Sequence, residues 1–243
     1  MTNELRRPRA LLLDLDGTLV DGRDMRSAVE ATCADLVALG HVPDAALLAK
    51  ANFEVWAARW STAEADWMSG RLSGQQLRYE VWAQALRACG CADGAVAELA
   101  AMAHLEYSRS SLRLFEDVRP FLEHVAAAMP VGLVTNGAPD DQRWKLQQLG
   151  LEAAFRPLLV SGEVGVAKPD AAIFRMALDA LGLEAGDVWH VGDSLRHDVA
   201  GAQSAGIGAV WLNRRGLSRR GEEPVPDLEI SSLEELWVRV LAQ

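Results

Sequence analysis

The sequence predicts an α/β fold in which a parallel sheet is covered by helices on both faces and an all-helical segment is inserted after the first strand. Three observations lead there. From residue 115 onward, short apolar runs alternate with helical patterns. The runs are continuously apolar, as in strands buried on both faces of a parallel sheet. Between the first run, at 9–15, and the next, about 90 residues show helical spacing and no convincing strand.

The first run enters "LLLDLDGTLV" at 11–20, where Leu11, Leu12 and Leu13 lead into Asp14 and Asp16. Four helical patterns follow: "RSAVEATCADLVALG", "DAALLAKANFEVWAARW", "SGQQLRYEVWAQALRACG" and "DGAVAELAAMAHLEYSRS". Further strands are then expected at "VGLVTNG" (131–137), "PLLVSGEVG" (157–165), "DVWHVGDS" (187–194) and "IGAVWLN" (207–213). Helices are expected in "PDDQRWKLQQLG", "DAAIFRMALDALG" and "RHDVAGAQSAG", each closed by the glycine that commonly stops a helix. "SSLEELWVRVLAQ" reads as a final helix, with a capping box from Ser231 to Glu234. The division is therefore an α/β core of residues 1–20 and 115–243 and a helical domain of residues 21–114. The chain would cross between them near Asp21–Asp24 and Leu114–Pro120, stretches rich in charge or carrying glycine or proline.

Composition narrows the function. The 243 residues are 50% hydrophobic, enough for a sizeable core, yet no apolar run reaches the ~18 residues of a membrane helix. The opening "MTNELRRPRA" runs into two aspartates, unlike a signal peptide, so a cytoplasmic protein is expected. The three cysteines, Cys33, Cys89 and Cys91, make no disulfide framework, and "CGC" has no second pair to complete a metal site. A formal charge of −10 argues against nucleic acid as a partner. Arg214, Arg215, Arg219 and Arg220 form a basic cluster, but Glu222 and Glu223 follow at once, as in a solvated loop. Nothing in the sequence addresses the oligomeric state.

Ligands of open parallel sheets bind beyond the carboxyl ends of the strands. There the sequence places Asp14 and Asp16, then Thr135, Asn136 and Gly137, then Lys168, then Asp193 and Ser194, with Asp198 beyond. These groups fit phosphoryl transfer. Asp14, Asp193 and Asp198 offer the hard oxygens that Mg²⁺ prefers. Without a cation, carboxylates brought so close would repel and some would take up protons. Thr135 supplies a hydroxyl, and backbone N–H groups at Asn136 and Gly137 can form an anion nest ahead of the next helix. Lys168 precedes Pro169, which biases it away from helical geometry and holds it extended at a helix N-terminus.

In order and spacing, "DLDGT", "TNG", "AKP" and "GDSLRHD" resemble the four motifs of the haloacid dehalogenase superfamily, especially its phosphatases with a helical cap. The resemblance spans nearly the whole chain and implies a Rossmann-like core. Within the family, "SGEVGVAKPDAAIF" and "VGDSLRHDVAGAQSAGI" look most like the branch of pyrimidine 5′-nucleotidases and N-acylneuraminate-9-phosphatases. The resemblance implies that Asp14 is a nucleophile forming an aspartyl-phosphate, and that Asp16 protonates the leaving oxygen and then activates water. It implies that Thr135, Asn136, Gly137 and Lys168 hold the phosphoryl group. It also implies that Mg²⁺ is bound by Asp14, the Asp16 carbonyl and Asp193, with Asp198 acting directly or through water. Successive strand residues face opposite ways, so Asp14 and Asp16 share a direction if the strand stays extended.

The expected activity is a Mg²⁺-dependent phosphomonoesterase for small soluble phosphate esters. A haloacid dehalogenase on the same fold would need no metal and no second acidic group, and a phosphosugar mutase would keep both aspartates. A binding module with a retired site is a further alternative, which the complete motifs disfavour. Taken alone, each motif has a plainer reading: "DLDGT" as a capped turn, "TNG" as a loop, Lys168 as a surface charge. His190 and His197 flank the fourth motif without a second nitrogen ligand to make a metal site. Trp56 and Trp60, one helical turn apart, and Trp67 lie in the inserted segment. Packing is the common fate of such a pair. The sharper expectation is a stacking wall that favours nucleoside 5′-monophosphates over sugar phosphates.

Overall fold

The computed structural model describes residues 6–22 and 25–241, so Arg23 and Asp24 of the first expected crossing lie outside the described residues. Strand β1 (Ala10–Leu13) ends one residue short of Asp14. It lies at the centre of a sheet with β4 (Val131–Thr135), β5 (Leu158–Val160), β6 (Val188–Gly192), β7 (Gly208–Leu212) and β8 (Leu228–Ile230). The spatial order is β5-β4-β1-β6-β7-β8, and every pairing is parallel. Leu11 and Leu13 face one core layer while Ala10 and Leu12 face the other, which is why the strand reads as an unbroken apolar run. The first layer is filled by α5 (Val118–Ala126), α6 (Pro139–Leu149) and α10 (Leu233–Leu241). The second is filled by α8 (Ala171–Leu181) and α9 (Ala200–Ser204).

Between β1 and α5 the chain forms α1 (Met25–Ala38), α2 (Ala45–Met68), α3 (Gly74–Ala88) and α4 (Gly94–Ser111). Asp44, Ser73 and Asp93 cap the last three by accepting from first-turn N–H groups. These helices carry a core of their own around Leu36, Leu48, Trp82 and Leu86.

The structure departs from the sequence expectations in four places. The crossings are not strand-free: β2 (Val20–Asp21) and β3 (Arg113–Leu114) pair antiparallel, so the two linkers form one short ribbon. The strand expected at 157–165 stops at Val160 and turns into α7 (Ser161–Val164), which ends at Gly165 with φ +74°. There Ser161 is buried, and its hydroxyl donates to the carbonyl of Met68 and accepts from Gly137, bonds a straight strand would not make. Strand β8 has no counterpart among the expected strands, because three residues after a polar loop carry too little alternation or apolar length to mark one. The final capping pair is shifted by one residue, with Ser232 Oγ accepting from Glu235 N while the Glu235 carboxylate accepts from Ser231 N. No helix among the described residues is long and apolar enough to cross a membrane.

Candidate active site

The carboxyl ends of β1, β4 and β6 open into a cavity of about 200 Å³. Asp14, Asp16, Thr135, Asn136, Lys168, Asp193 and Asp198 line its sheet side, and Trp60, Glu64, Trp67 and Met68 of α2 line the other. Every motif therefore reaches one place. The close approach depends on Gly17, with φ +81°, because a Cβ there would lie 2.2 Å from Asp193 Oδ2.

Lys168, 2% exposed, is the centre of charge. Its Nζ donates to Asp14 Oδ1 at 2.6 Å and to Asp198 Oδ1 at 2.7 Å. Burial would lower the lysine pKa, but the two carboxylates outweigh it and raise it, so the ammonium is held charged. Asn136 fixes the lysine backbone: its Oδ1 accepts from Lys168 N and its Nδ2 donates to Lys168 O, both at 2.8 Å. The Asn136 side chain is thus a clamp on Lys168, while the residue, whose backbone N–H is expected in the anion nest, lines the cavity. Gly137 N–H, expected in the anion nest, donates to Ser161 Oγ at 2.9 Å, and Gly137 does not line the cavity. A buried N–H takes the nearest acceptor, and the α7 turn brings one.

Asp198 sits in a wide helical turn, Leu195–Val199. Burial opposes its ionisation, but Lys168 and His190 hold its pKa below the usual carboxylate range. His190 Nε2 lies 2.9 Å from Asp198 Oδ1, and Ser194 N–H donates to Oδ2. This is the place the structure gives to His190, which the sequence left without a partner. His197 lines the cavity mouth.

Asp14 is pushed up to about 8, chiefly by burial, with Lys168 opposing and Asp198 and Asp193 adding repulsion. Asp193 is pushed up to about 6 by burial and by Asp198. One oxygen or more from each of Asp14, Asp193 and Asp198 lies within 4.8 Å of the others. Three hard donors that resist ionising together, with Lys168 the one lysine or arginine among the cavity-lining residues, suit a divalent cation. Asp198 already has both oxygens engaged by protein donors, whereas Asp193 has no side-chain hydrogen bond among the described residues and Asp14 uses one oxygen.

Asp16 faces the same cavity, yet it belongs to a different charge pair. Lys145 Nζ donates to both its oxygens at 2.7 Å, and Gln142 Nε2 donates to Oδ2 at 2.9 Å. Burial would raise its pKa, but these donors keep it below the usual carboxylate value. Thr135 Oγ, also bonded to Gln142, remains in the cavity wall. Gln142 and Lys145 are not among the residues the motifs single out. The available signal was positional: a helix opening directly after "TNG" starts at the sheet edge, so polar residues of its first turns face the site.

The inserted helices dock onto the same region. Gly74 and Gln75 N–H groups donate to the Asp140 carboxylate at 3.1 Å, and Trp67 Nε1 donates to Asp141 at 3.3 Å. Trp60 stacks on Trp56 with ring centres 5.5 Å apart and meets Trp67 edge-on at 5.3 Å. Trp60 and Trp67 line the cavity, whereas Trp56 does not and packs behind them.

Residues 8–206 match the family model of haloacid dehalogenase-like hydrolases. The chain is 36% identical to phosphoserine phosphatase of Thermus thermophilus, over 95% of this chain and 98% of that one. It is 29% identical to human N-acylneuraminate-9-phosphatase, over 96% and 93%. Among solved structures, a 2-haloacid dehalogenase of Pseudomonas syringae superposes with a TM-score of 0.68 at 30% identity, covering 97% of this chain and 98% of that one.

Proposed function

Because the chain belongs to the haloacid dehalogenase-like hydrolases and its relatives are phosphoric monoester hydrolases, we propose that it is a Mg²⁺-dependent phosphomonoesterase working through an aspartyl-phosphate on Asp14. The observation that carries this reading is the gathering of Asp14, Asp16, Thr135, Lys168 and the Asp193–Asp198 pair in one cavity. Asp14, Asp193 and the Asp16 carbonyl would hold Mg²⁺, and Asp198, its oxygens already engaged, would act through water. The cation would supply charge that lets the carboxylates ionise while a phosphate dianion is bound.

Asp14 attacks phosphorus through one carboxylate oxygen, and the ester's P–O bond breaks as the acyl-phosphate forms. Lys168 and the Thr135 hydroxyl hold the phosphoryl oxygens. Asp16 gives a proton to the departing oxygen, which leaves as an alcohol. In the second half Asp16 takes a proton from the water that cleaves the acyl-phosphate. The ionised, clamped form seen here is the one that accepts the water's proton, and the approach of the next phosphate dianion raises the Asp16 pKa so that the proton is held, or taken up again, for the next departing oxygen.

We propose residues 21–114 as a cap over the site, closing it against water and touching whatever the phosphate is attached to. Trp60 and Trp67 support a planar leaving group, a nucleoside 5′-monophosphate in preference to a sugar phosphate. The relatives' names add phosphoserine and N-acylneuraminate 9-phosphate to the panel to be screened. The three cysteines are free thiols, which suits the reducing cytoplasm.

A dehalogenase reading has one support, the named structural neighbour. A departing halide needs no proton, however, so Asp16 would have no task. The deciding experiment measures p-nitrophenyl phosphate hydrolysis and 2-chloropropionate dechlorination with Mg²⁺ and with EDTA. Metal-dependent release of p-nitrophenol, lost in Asp14→Asn, is expected. Chloride release in EDTA would overturn the phosphatase reading.

A further inference from the structure

We infer that Gln142 and Lys145 are positioning residues that set the Asp16 carboxylate in place for proton transfer, an inference that rests on Asp16 having the role proposed above. Asp16 lies beyond the end of β1, in a turn held by the bridge between Asp16 and Val20. Its side chain is 43% exposed, so the backbone alone leaves its carboxylate free to rotate. Lys145 meets both oxygens, and it has no other hydrogen-bond partner among the described residues. Gln142 is fully buried, and its amide joins Asp16, Thr135 Oγ and the Asn136 carbonyl at 2.7 to 2.9 Å. A single amide thus ties the proton-transfer group to the phosphate loop.

The two residues are three apart on α6 and so share a face. The helix beneath them is firmly seated. Leu146 and Leu149 are in the core, Arg143 pairs with Glu163 at 2.7 Å, and Asp140 and Asp141 take the contacts from α2 and α3. Proton transfer requires heavy atoms about 2.6–3.2 Å apart, and misplacement of ~1 Å can cost ~10²-fold. A rigid fork on Asp16 meets that demand. Lys168 does not duplicate it, because its carboxylate partners are Asp14 and Asp198.

The test compares wild type, Lys145→Met and Lys145→Arg on ethyl phosphate and p-nitrophenyl phosphate in saturating Mg²⁺. Ethoxide is a poor leaving group that needs a proton, and p-nitrophenolate is not. In Lys145→Met, kcat/KM for ethyl phosphate should fall about 10²-fold or more. For p-nitrophenyl phosphate, kcat/KM should hold within about threefold while kcat and KM fall together, because hydrolysis of the shared intermediate still needs Asp16. A burst of p-nitrophenolate should appear, and Lys145→Arg should recover most of the ethyl phosphate activity. Equal losses of kcat/KM on both esters with raised KM would overturn the inference, leaving Lys145 a mere attractor of phosphate. Unchanged kinetics would overturn it as well. Should Lys145→Met fail to fold, Gln142→Met must give the same leaving-group pattern. Wild-type enzyme inert toward both esters would overturn the reading of the reaction, and this inference with it.

Discussion

Metal binding at this site should release protons, in a number that varies with pH in a defined way. Asp14 is raised to about 8 and Asp193 to about 6, against an ordinary value of 3.8. Both folded-state values lie above the unfolded one. Their ionisation therefore destabilises the metal-free fold progressively as pH rises from about 4 through about 8. A bound divalent cation needs both carboxylates ionised. Both carboxyl protons must leave before the cation is held, so binding should release up to about two protons at the acid end, fewer as pH rises through about 8, and almost none beyond. Apparent Mg²⁺ affinity should accordingly rise with pH, by up to about 100-fold per unit at the acid end, and level off once both carboxylates are ionised. The gain in thermal stability from a fixed excess of Mg²⁺ should grow along the same curve, reaching about 2.7 kcal/mol where the metal is at 100 times its Kd. Titration calorimetry in two buffers of different ionisation enthalpy counts the protons directly. Binding that releases none at pH 7 would refute the assignment of retained protons to Asp14 and Asp193. A failure to bind at any pH would refute the metal site.

Lys168→Met should leave Asp14 and Asp198 without their shared cation and cost about 3–5 kcal/mol in urea denaturation at pH 8. The loss should shrink as pH falls through about 8, where Asp14 takes up a proton and no longer needs the cation, and a loss constant with pH would count against the charge argument. Gly17→Ala places a methyl group 2.2 Å from Asp193 Oδ2 and should weaken Mg²⁺ binding at least tenfold by displacing that carboxylate, as read by calorimetry on the folded variant. Trp60→Ala should raise KM for a bulky ester while leaving acetyl phosphate, too small to reach the inserted helices, nearly unaffected. Trp56→Ala should lower the melting temperature with no such selectivity, and equal KM effects from both would mean that Trp60 also only packs.

The parallel sheet, its two helical layers and the long helical insertion were legible in the chain because they rest on local properties. A strand buried on both faces must be apolar throughout, as "ALLL" and "GAVWL" are. The helices of "PDDQRWKLQQLG" and "DAAIFRMALDALG" stop at Gly150 and Gly182, which adopt left-handed geometry as their position suggested. The candidate carboxylates and Lys168 were legible for a topological reason: parallel strands deliver the residues after their carboxyl ends to one edge. The pairings at that edge were not legible. Which cation neutralises Asp16, that Asn136 grips the Lys168 backbone, that Gly137 bonds Ser161 and that His190 meets Asp198 all join residues 8 to 129 positions apart. Residue type says that a buried carboxylate or amide must find a partner, and it does not say which of several suitable partners the packing brings within 3 Å. That choice belongs to the folded chain, through the turn at Ser161, the α6 face carrying Gln142 and Lys145, and the docking of α2 that turns Trp60 toward the cavity and Trp56 away from it.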